Sequence, residues 1–277
     1  MTSVPDLTLN NGVTIPQLGF GVFQIPPDAT RKATLAALEV GYRHVDTAQM
    51  YGNEAGVGQA VRDSGLDRGD VFVTSKLDNS SHAYDDALAA FDRSLAELEF
   101  DYLDLFLVHW PMPAVGDFVE TWRAMEEIYR SGRSKAIGVS NFQPNHLNRL
   151  RAETDVLPAV NQVEVHPYFT QTDVRSYGVE HGIVTEAWSP IAQGKVLDDP
   201  TIGRIAERYG KTPAQVTLRW HIQRGDVVFP KSATRSRVEE NFAIFDFELG
   251  DDDVTDISLL DRDERIGPHP DKFNAMP

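Results

Sequence analysis

Short apolar runs alternate along this chain with longer segments whose apolar residues recur every three or four positions. The short runs are Leu18–Gly21, Arg43–Val45, Val71–Thr74, Leu103–Val108, Ala136–Val139, Ala159–Val163, Val184–Ala187 and Val227–Phe229. They are rich in Val, Leu and Ile, as strands buried on both faces of a parallel sheet are. The longer segments predict helices over Thr30–Val40, Ala83–Leu98, Phe118–Tyr129, Pro144–Ala152, Val174–His181 and Ala214–Ile222, with another starting near Glu54. In Ala83–Leu98, for example, Ala87, Leu88, Phe91, Leu95 and Leu98 keep the helical spacing. Asp85, Asp86 and Asp173 stand at expected helix starts, where the macrodipole favours a negative charge. Gly65, Gly132 and Gly182 follow expected helix ends as left-handed terminators.

Eight strands alternating with helices predict a (β/α)8 TIM barrel spanning the chain, residues 1–277, as one domain. An open doubly wound sheet is the competitor, but no G-x-G-x-x-G follows any of the strands. Ahead of the barrel, Asn11-Gly12 between Leu-Thr-Leu and Val-Thr-Ile predicts a β-hairpin over residues 7–16. Beyond the last strand, extra C-terminal helices are expected at Arg237–Phe245 and Asp251–Leu260, followed by an irregular tail, 262–277.

Composition narrows the function classes. No apolar run approaches the roughly 18 residues of a membrane span, and the N-terminus carries no basic-then-apolar signal segment. A cytoplasmic protein is therefore expected. The chain has no cysteine, which removes disulfides, thiolate metal sites and a cysteine nucleophile, and no metal is expected. A formal net charge of −16 argues against nucleic acid or an anionic membrane as partner. Against that background Lys231, Arg235 and Arg237 form a local basic cluster, either an anion pocket or a solvated stretch of helix.

In a (β/α)8 barrel the site is built where the strands end. Here those ends carry Asp46 with Tyr51 on the next loop, Thr74-Ser75-Lys76, His109-Trp110, Ser140-Asn141, Gln162 with Glu164, Glu186 with Trp188, and Lys231-Ser232. Taken singly, a Tyr near an Asp is commonly a surface pair, and His109 after an apolar strand reads equally as a core histidine. Lys76 is harder to explain that way. A buried ammonium costs several kcal/mol unless it is paired, and Asp46 on the neighbouring strand is the obvious partner. Together the four groups suit proton transfer: Lys76 tunes the Tyr51 phenol, Asp46 holds Lys76, and His109 orients a carbonyl.

Long motifs around these residues resemble the aldo-keto reductase family. Gly-Tyr-Arg-His-Val-Asp-Thr-Ala with Tyr-Gly-Asn-Glu, Thr-Ser-Lys-Leu and Leu-Val-His-Trp-Pro are similar to its catalytic segments. Gly-Val-Ser-Asn-Phe, Pro-Ala-Val-Asn-Gln-Val-Glu-Val-His-Pro and Pro-Lys-Ser-Ala-Thr-Arg-Ser-Arg-Val-Glu-Glu-Asn are similar to its cofactor segments. The resemblance runs from about Leu7 to Leu260. Leu-Gly-Phe-Gly-Val-Phe and Phe-Pro-Lys-Ser look most like the bacterial 2,5-diketo-D-gluconate reductases.

This resemblance implies NADPH-dependent reduction of an aldehyde or ketone (a keto-sugar, an α-dicarbonyl or a small aldehyde) by a monomer, with NADP+ as the spent cofactor. Tyr51 would be the general acid, Lys76 and Asp46 would tune it, and His109 would position the carbonyl. Ser140, Asn141 and Gln162 would bind the nicotinamide carboxamide, and Trp188 would stack on its ring, beside Ser189 and Pro190. Lys231, Ser232 and Arg237 would hold the 2′-phosphate, with Ala233 and Thr234 between them and Glu240 and Asn241 at the adenine. Gly21, Val22 and Phe23 would also face the cofactor, and Phe23, Asp78 and Trp110 would line the substrate pocket. Asp78 stands where the family often has Trp, which argues against anionic substrates. Two other readings remain open on the residues alone: a slow, NADPH-holding redox sensor, and a lyase that uses Lys76 as a Schiff-base former.

Overall fold

The computed structural model of the protein describes residues 4–275. Strands β1 (Asp6–Thr8) and β2 (Thr14–Pro16) pair antiparallel around the Asn11-Gly12 turn, as the sequence predicts. The eight strands that follow are β3 (Phe20–Gly21), β4 (His44–Asp46), β5 (Phe72–Leu77), β6 (Leu103–Val108), β7 (Ser134–Ser140), β8 (Val160–Glu164), β9 (Val184–Trp188) and β10 (Val227–Val228). All neighbours are parallel and lie in sequence order. Leu18 bridges Val228, and Gly19 donates to the Val228 carbonyl at 2.7 Å, so the first and last strands meet and the sheet curves into a barrel.

Helices α1 (Pro27–Val40), α2 (Glu54–Asp63), α3 (Tyr84–Leu98), α4 (Phe118–Arg130), α5 (Pro144–Glu153) and α6 (Thr172–His181) cover the outside between strands. Helices α7 (Pro200–Tyr209) and α8 (Pro213–Gln223) both lie between β9 and β10, and α9 (Arg235–Phe242) and α10 (Asp251–Ser258) follow the last strand. Helix α7 has no counterpart in the sequence expectation. Its apolar stripe is only Ile202, Ile205 and Ala206, interrupted by Gly203. What starts it is Asp199, whose carboxylate accepts from the Thr201 and Ile202 amides. The expected 237–245 helix begins earlier, at Arg235, and ends at Phe242. Gly65, Gly132 and Gly182 take φ of +74°, +75° and +68°, the left-handed conformation expected of terminators.

Of three hydrophobic clusters among the described residues, two frame the barrel. The larger lies between sheet and helices, with Phe91, Phe106, Trp122 and Phe142 fully buried. Inside the barrel's lower end, Leu9 and Ile15 of the hairpin region meet Phe72, Leu105, Leu107 and Val160. The hairpin thus stoppers the end opposite the strand termini that carry the polar groups. No described helix is long and apolar enough to cross a membrane, and no described group of three His, Cys, Asp or Glu could hold a metal.

Helices α2 and α3 approach most closely at Gly58. A Cβ there would lie 2.0 Å from the Leu98 carbonyl oxygen, and this backbone cannot yield cheaply. Gly203 in α7 faces open space instead. Helix propensity favours alanine over glycine by about 1 kcal/mol at either site, whereas overpacking costs about 1–3 kcal/mol or more. Gly58→Ala is therefore expected to lower the urea midpoint, and Gly203→Ala to leave it unchanged or raise it.

Candidate active site

Lys76 is fully buried near the end of β5, and its ammonium has three hydrogens to place. One goes to Asp46 Oδ1 at 2.7 Å, one to the Thr47 carbonyl at 2.8 Å and one to the Tyr51 hydroxyl at 3.3 Å. The strand register makes this possible. Asp46 closes β4 opposite Thr74 of β5, so a side chain two residues further along β5 reaches back over it. Tyr51 sits on a single 3-10 turn, Gln49–Tyr51, just beyond β4. Burial pulls the Lys76 ammonium toward deprotonation, but Asp46 and Tyr51 outweigh it and hold it above the ordinary lysine range. Burial likewise pushes the Tyr51 phenol up, and the Lys76 charge offsets only part of that rise. The phenol therefore keeps its proton at neutral pH, beside a fixed positive charge that favours its release.

His109 follows β6, with its ring centroid 5.9 Å from that of Tyr51 in an edge-on arrangement. Burial, reinforced by the Lys76 charge, holds the imidazole well below its usual range, so it is neutral. Its Nδ1 is buried without a partner among the described residues. Phe23, half-exposed, packs its ring 5.0 Å from Tyr51. The four residues of the expected proton-transfer site therefore meet at one end of the barrel.

Beside them lie the residues expected to meet a nicotinamide. Asn141, at φ +64°, donates to the His109 carbonyl and to Ser140 Oγ, both at 3.0 Å, while its Oδ1 accepts from Trp188 Nε1 at 2.9 Å. Ser140 Oγ donates to the Gln162 carbonyl at 2.9 Å. Gln162 Nε2 donates to Asp46 Oδ2 at 2.9 Å and to Glu186 Oε2 at 2.7 Å. Once these bonds are made, the free sites are acceptors: Gln162 Oε1 accepts nothing among the described residues, and Asn141 Oδ1 keeps a lone pair. Trp188 is half-exposed, followed by Ser189 at φ +50° and Pro190, whose carbonyl bonds His221 Nε2 at 3.1 Å. Gly21 runs so close to β10 that a Cβ would lie 2.7 Å from the Phe229 carbonyl, and the Val22 amide bonds the Asp46 carbonyl at 3.0 Å.

The basic cluster divides. Arg235 is tied to Glu39 and Glu239 at 2.6 and 3.0 Å. Lys231 and Arg237 are exposed and have no ion-pair partner among the described residues. Ser232, buried, accepts from the Thr234 amide at 3.0 Å, which shapes the Ser232-Ala233-Thr234 turn ahead of α9. Glu240 Oε1 accepts from Thr212 Oγ1 at 2.6 Å, leaving Oε2, and Asn241 is buried nearby on α9.

At the mouth, Trp110 packs its ring 4.3 Å from Phe273 of the C-terminal tail. Asp78 is half-buried, but its Oδ1 accepts from the Ser80 amide and hydroxyl at 2.8 and 2.7 Å, closing a tight turn. Sequence reasoning missed the tail's attachment. Glu164, fully buried at the end of β8, accepts from the Ile266 amide at 2.6 Å and the Gly267 amide at 2.8 Å. Burial alone would raise its carboxyl, but His166 and these two amides hold it below the ordinary glutamate range. Gly267 is seated so tightly that a Cβ would lie 2.4 Å from the Trp188 ring. No local signal in the sequence marks this attachment, because Glu164 and Gly267 are 103 residues apart.

A sequence model of the aldo/keto reductase family matches residues 17–262. An aldo-keto reductase of Mycolicibacterium smegmatis is 51% identical over 270 residues, covering 98% of each chain. Methylglyoxal reductase DkgA of Escherichia coli is 46% identical over 271 residues, covering 97% of this chain and 98% of that one. A mutant of Gox0644 crystallised in complex with NADPH superposes with a TM-score of 0.95 at 45% identity, covering 98% of this chain and 99% of that one. With the barrel and the Asp46, Tyr51, Lys76 and His109 constellation in place, the chain belongs to the aldo/keto reductase family.

Proposed function

We propose that this protein reduces small aldehydes, α-dicarbonyls or keto-sugars to alcohols with NADPH, as a cytoplasmic monomer. The observation that carries the reading is the Lys76 ammonium, which bonds Asp46 and Tyr51 at once. The residues around it suit the cofactor. The free acceptors on Gln162 and Asn141 match the NH2 of a carboxamide, Trp188 offers an aromatic surface, and exposed Lys231 and Arg237 suit a 2′-phosphate. When bound, NADPH supplies the hydride. Tyr51 supplies the proton to the carbonyl oxygen as general acid, and Lys76 stabilises the phenolate left behind. Asp46 keeps Lys76 charged and in place. His109, neutral, offers a hydrogen bond to the same oxygen without competing as a proton donor.

Lys76 held as an ammonium is unsuited to Schiff-base chemistry, which needs a neutral amine. The similarity to a methylglyoxal reductase supports α-dicarbonyls. Asp78 adds a negative charge to the same rim and supports neutral substrates, although its bonds to Ser80 moderate that charge. The deciding experiment follows NADPH absorbance during incubation with methylglyoxal, simple aldehydes and keto-sugars. No turnover of any of them would remove the reductase reading and leave the sensor.

Tyr51→Phe is expected to lower the turnover number by about 10²–10⁴-fold, the usual contribution of general acid catalysis, and to leave NADPH affinity nearly intact. Retention of more than about a tenth of the rate, with chemistry limiting, would move the acid elsewhere.

NADPH should be preferred to NADH. A charge-assisted hydrogen bond contributes about 1.5–3 kcal/mol, and exposure of Arg237 reduces that share. Arg237→Ala should weaken NADPH binding about tenfold and spare NADH, and the difference should shrink with salt. Equal losses for both dinucleotides would place Arg237 on the structure they share.

A further inference from the structure

Glu186 lies in the barrel beside the site, and the mechanism above makes no use of it. On β9 it stands in register with Gln162 of β8 on one side and Val227 of β10 on the other. It is fully buried, yet its described hydrogen bonding is limited to the one from Gln162 Nε2 to its Oε2, and its Oε1 has no partner. A buried carboxyl left half-unpaired costs stability and calls for a reason other than packing. The charged groups facing it are Asp46 from β4 and Lys76 from β5. Burial, then the Asp46 charge, push its carboxyl up to about 8, with Gln162 and Lys76 opposing. At neutral pH it is therefore a neutral acid, and no second anion stands beside Asp46.

The consequence falls on Gln162. Its amide nitrogen has two hydrogens, and both are committed, to Asp46 Oδ2 and to Glu186 Oε2. Asp46, bonded through its other oxygen to the Lys76 ammonium, accepts from that amide and so admits one orientation of it. Glu186 secures the second hydrogen and stops the amide from turning about its own axis. The oxygen, Oε1, is then held as a free acceptor. We propose that Glu186 is a positioning residue which, through Gln162, presents Oε1 to the carboxamide NH2 of the nicotinamide. This rests on the NADPH reading given above.

The test measures dissociation constants of NADP+ and of its 3-acetylpyridine analogue by titration calorimetry. The analogue carries a methyl ketone in place of the carboxamide and has no N–H to donate. In Glu186→Leu, NADP+ should bind about tenfold more weakly and the analogue less than about twofold more weakly, since only NADP+ uses the acceptor. Glu186→Gln matches the neutral acid in shape and retains an acceptor, so NADP+ affinity should return to within about twofold of wild type. Glu186→Met serves the same purpose should the leucine variant fail to fold. Equal weakening of both dinucleotides would overturn the inference and make Glu186 merely structural. Unchanged NADP+ affinity in Glu186→Leu would overturn it as well. Wild-type protein that binds neither dinucleotide would overturn the NADPH reading itself, and this inference with it.

Discussion

An ammonium sealed inside a protein persists only when its charge and all its hydrogens are matched, because desolvation costs several kcal/mol. Lys76 meets that condition through one carboxylate, one carbonyl and one phenol. Each comes from a different part of the β4–loop segment, so the path of the chain from Asp46 to Tyr51 is set by what Lys76 requires. Asp46 then carries the constraint across the barrel, since its second oxygen bonds Gln162, and Gln162 bonds Glu186. Four strands, β4, β5, β8 and β9, are joined by one buried polar chain. Displacing any one of these strands would leave a buried polar group without its partner.

The same requirement explains why the centre of the site was legible in the sequence. A lysine at the end of an apolar strand needs a partner, and adjacent parallel strands leave Asp46 as the nearest candidate. Most of the strands were legible because both their faces are buried and their runs are largely apolar, as in Leu103–Val108. Helix α7 was not, because three apolar residues and an internal glycine give a weak stripe, and its start depends on an aspartate cap. The basic stretch 231–237 also looked uniform. It separates into paired and unpaired cations only once Glu39, nearly two hundred residues earlier, is beside Arg235. Asp78 read as a charge facing substrate, whereas its carboxylate also closes a local turn with Ser80.

The tail was least legible, for a related reason. Its bonds span about a hundred residues or more, from Glu164 to Gly267 and from Ala114 to Asn274. Nothing in the local pattern of residues 262–277 announces a partner so distant. Pairwise long-range polar contacts are invisible to periodicity, while buried apolar faces are not.

Glu164 grips the tail by main-chain amides at Ile266 and Gly267, and not by side chains. Every residue except proline carries that N–H, so the grip at Ile266 places little demand on which side chain stands there. Gly267 is the exception, because the Trp188 ring leaves no room for a Cβ. Further along, the tail is held by side chains as well: Asn274 Oδ1 accepts from the Ala114 amide, and Asp271 lies 3.2 Å from His146. Attachment at Glu164 is thereby uncoupled from side-chain identity at Ile266: drift at that position leaves the tether as it is.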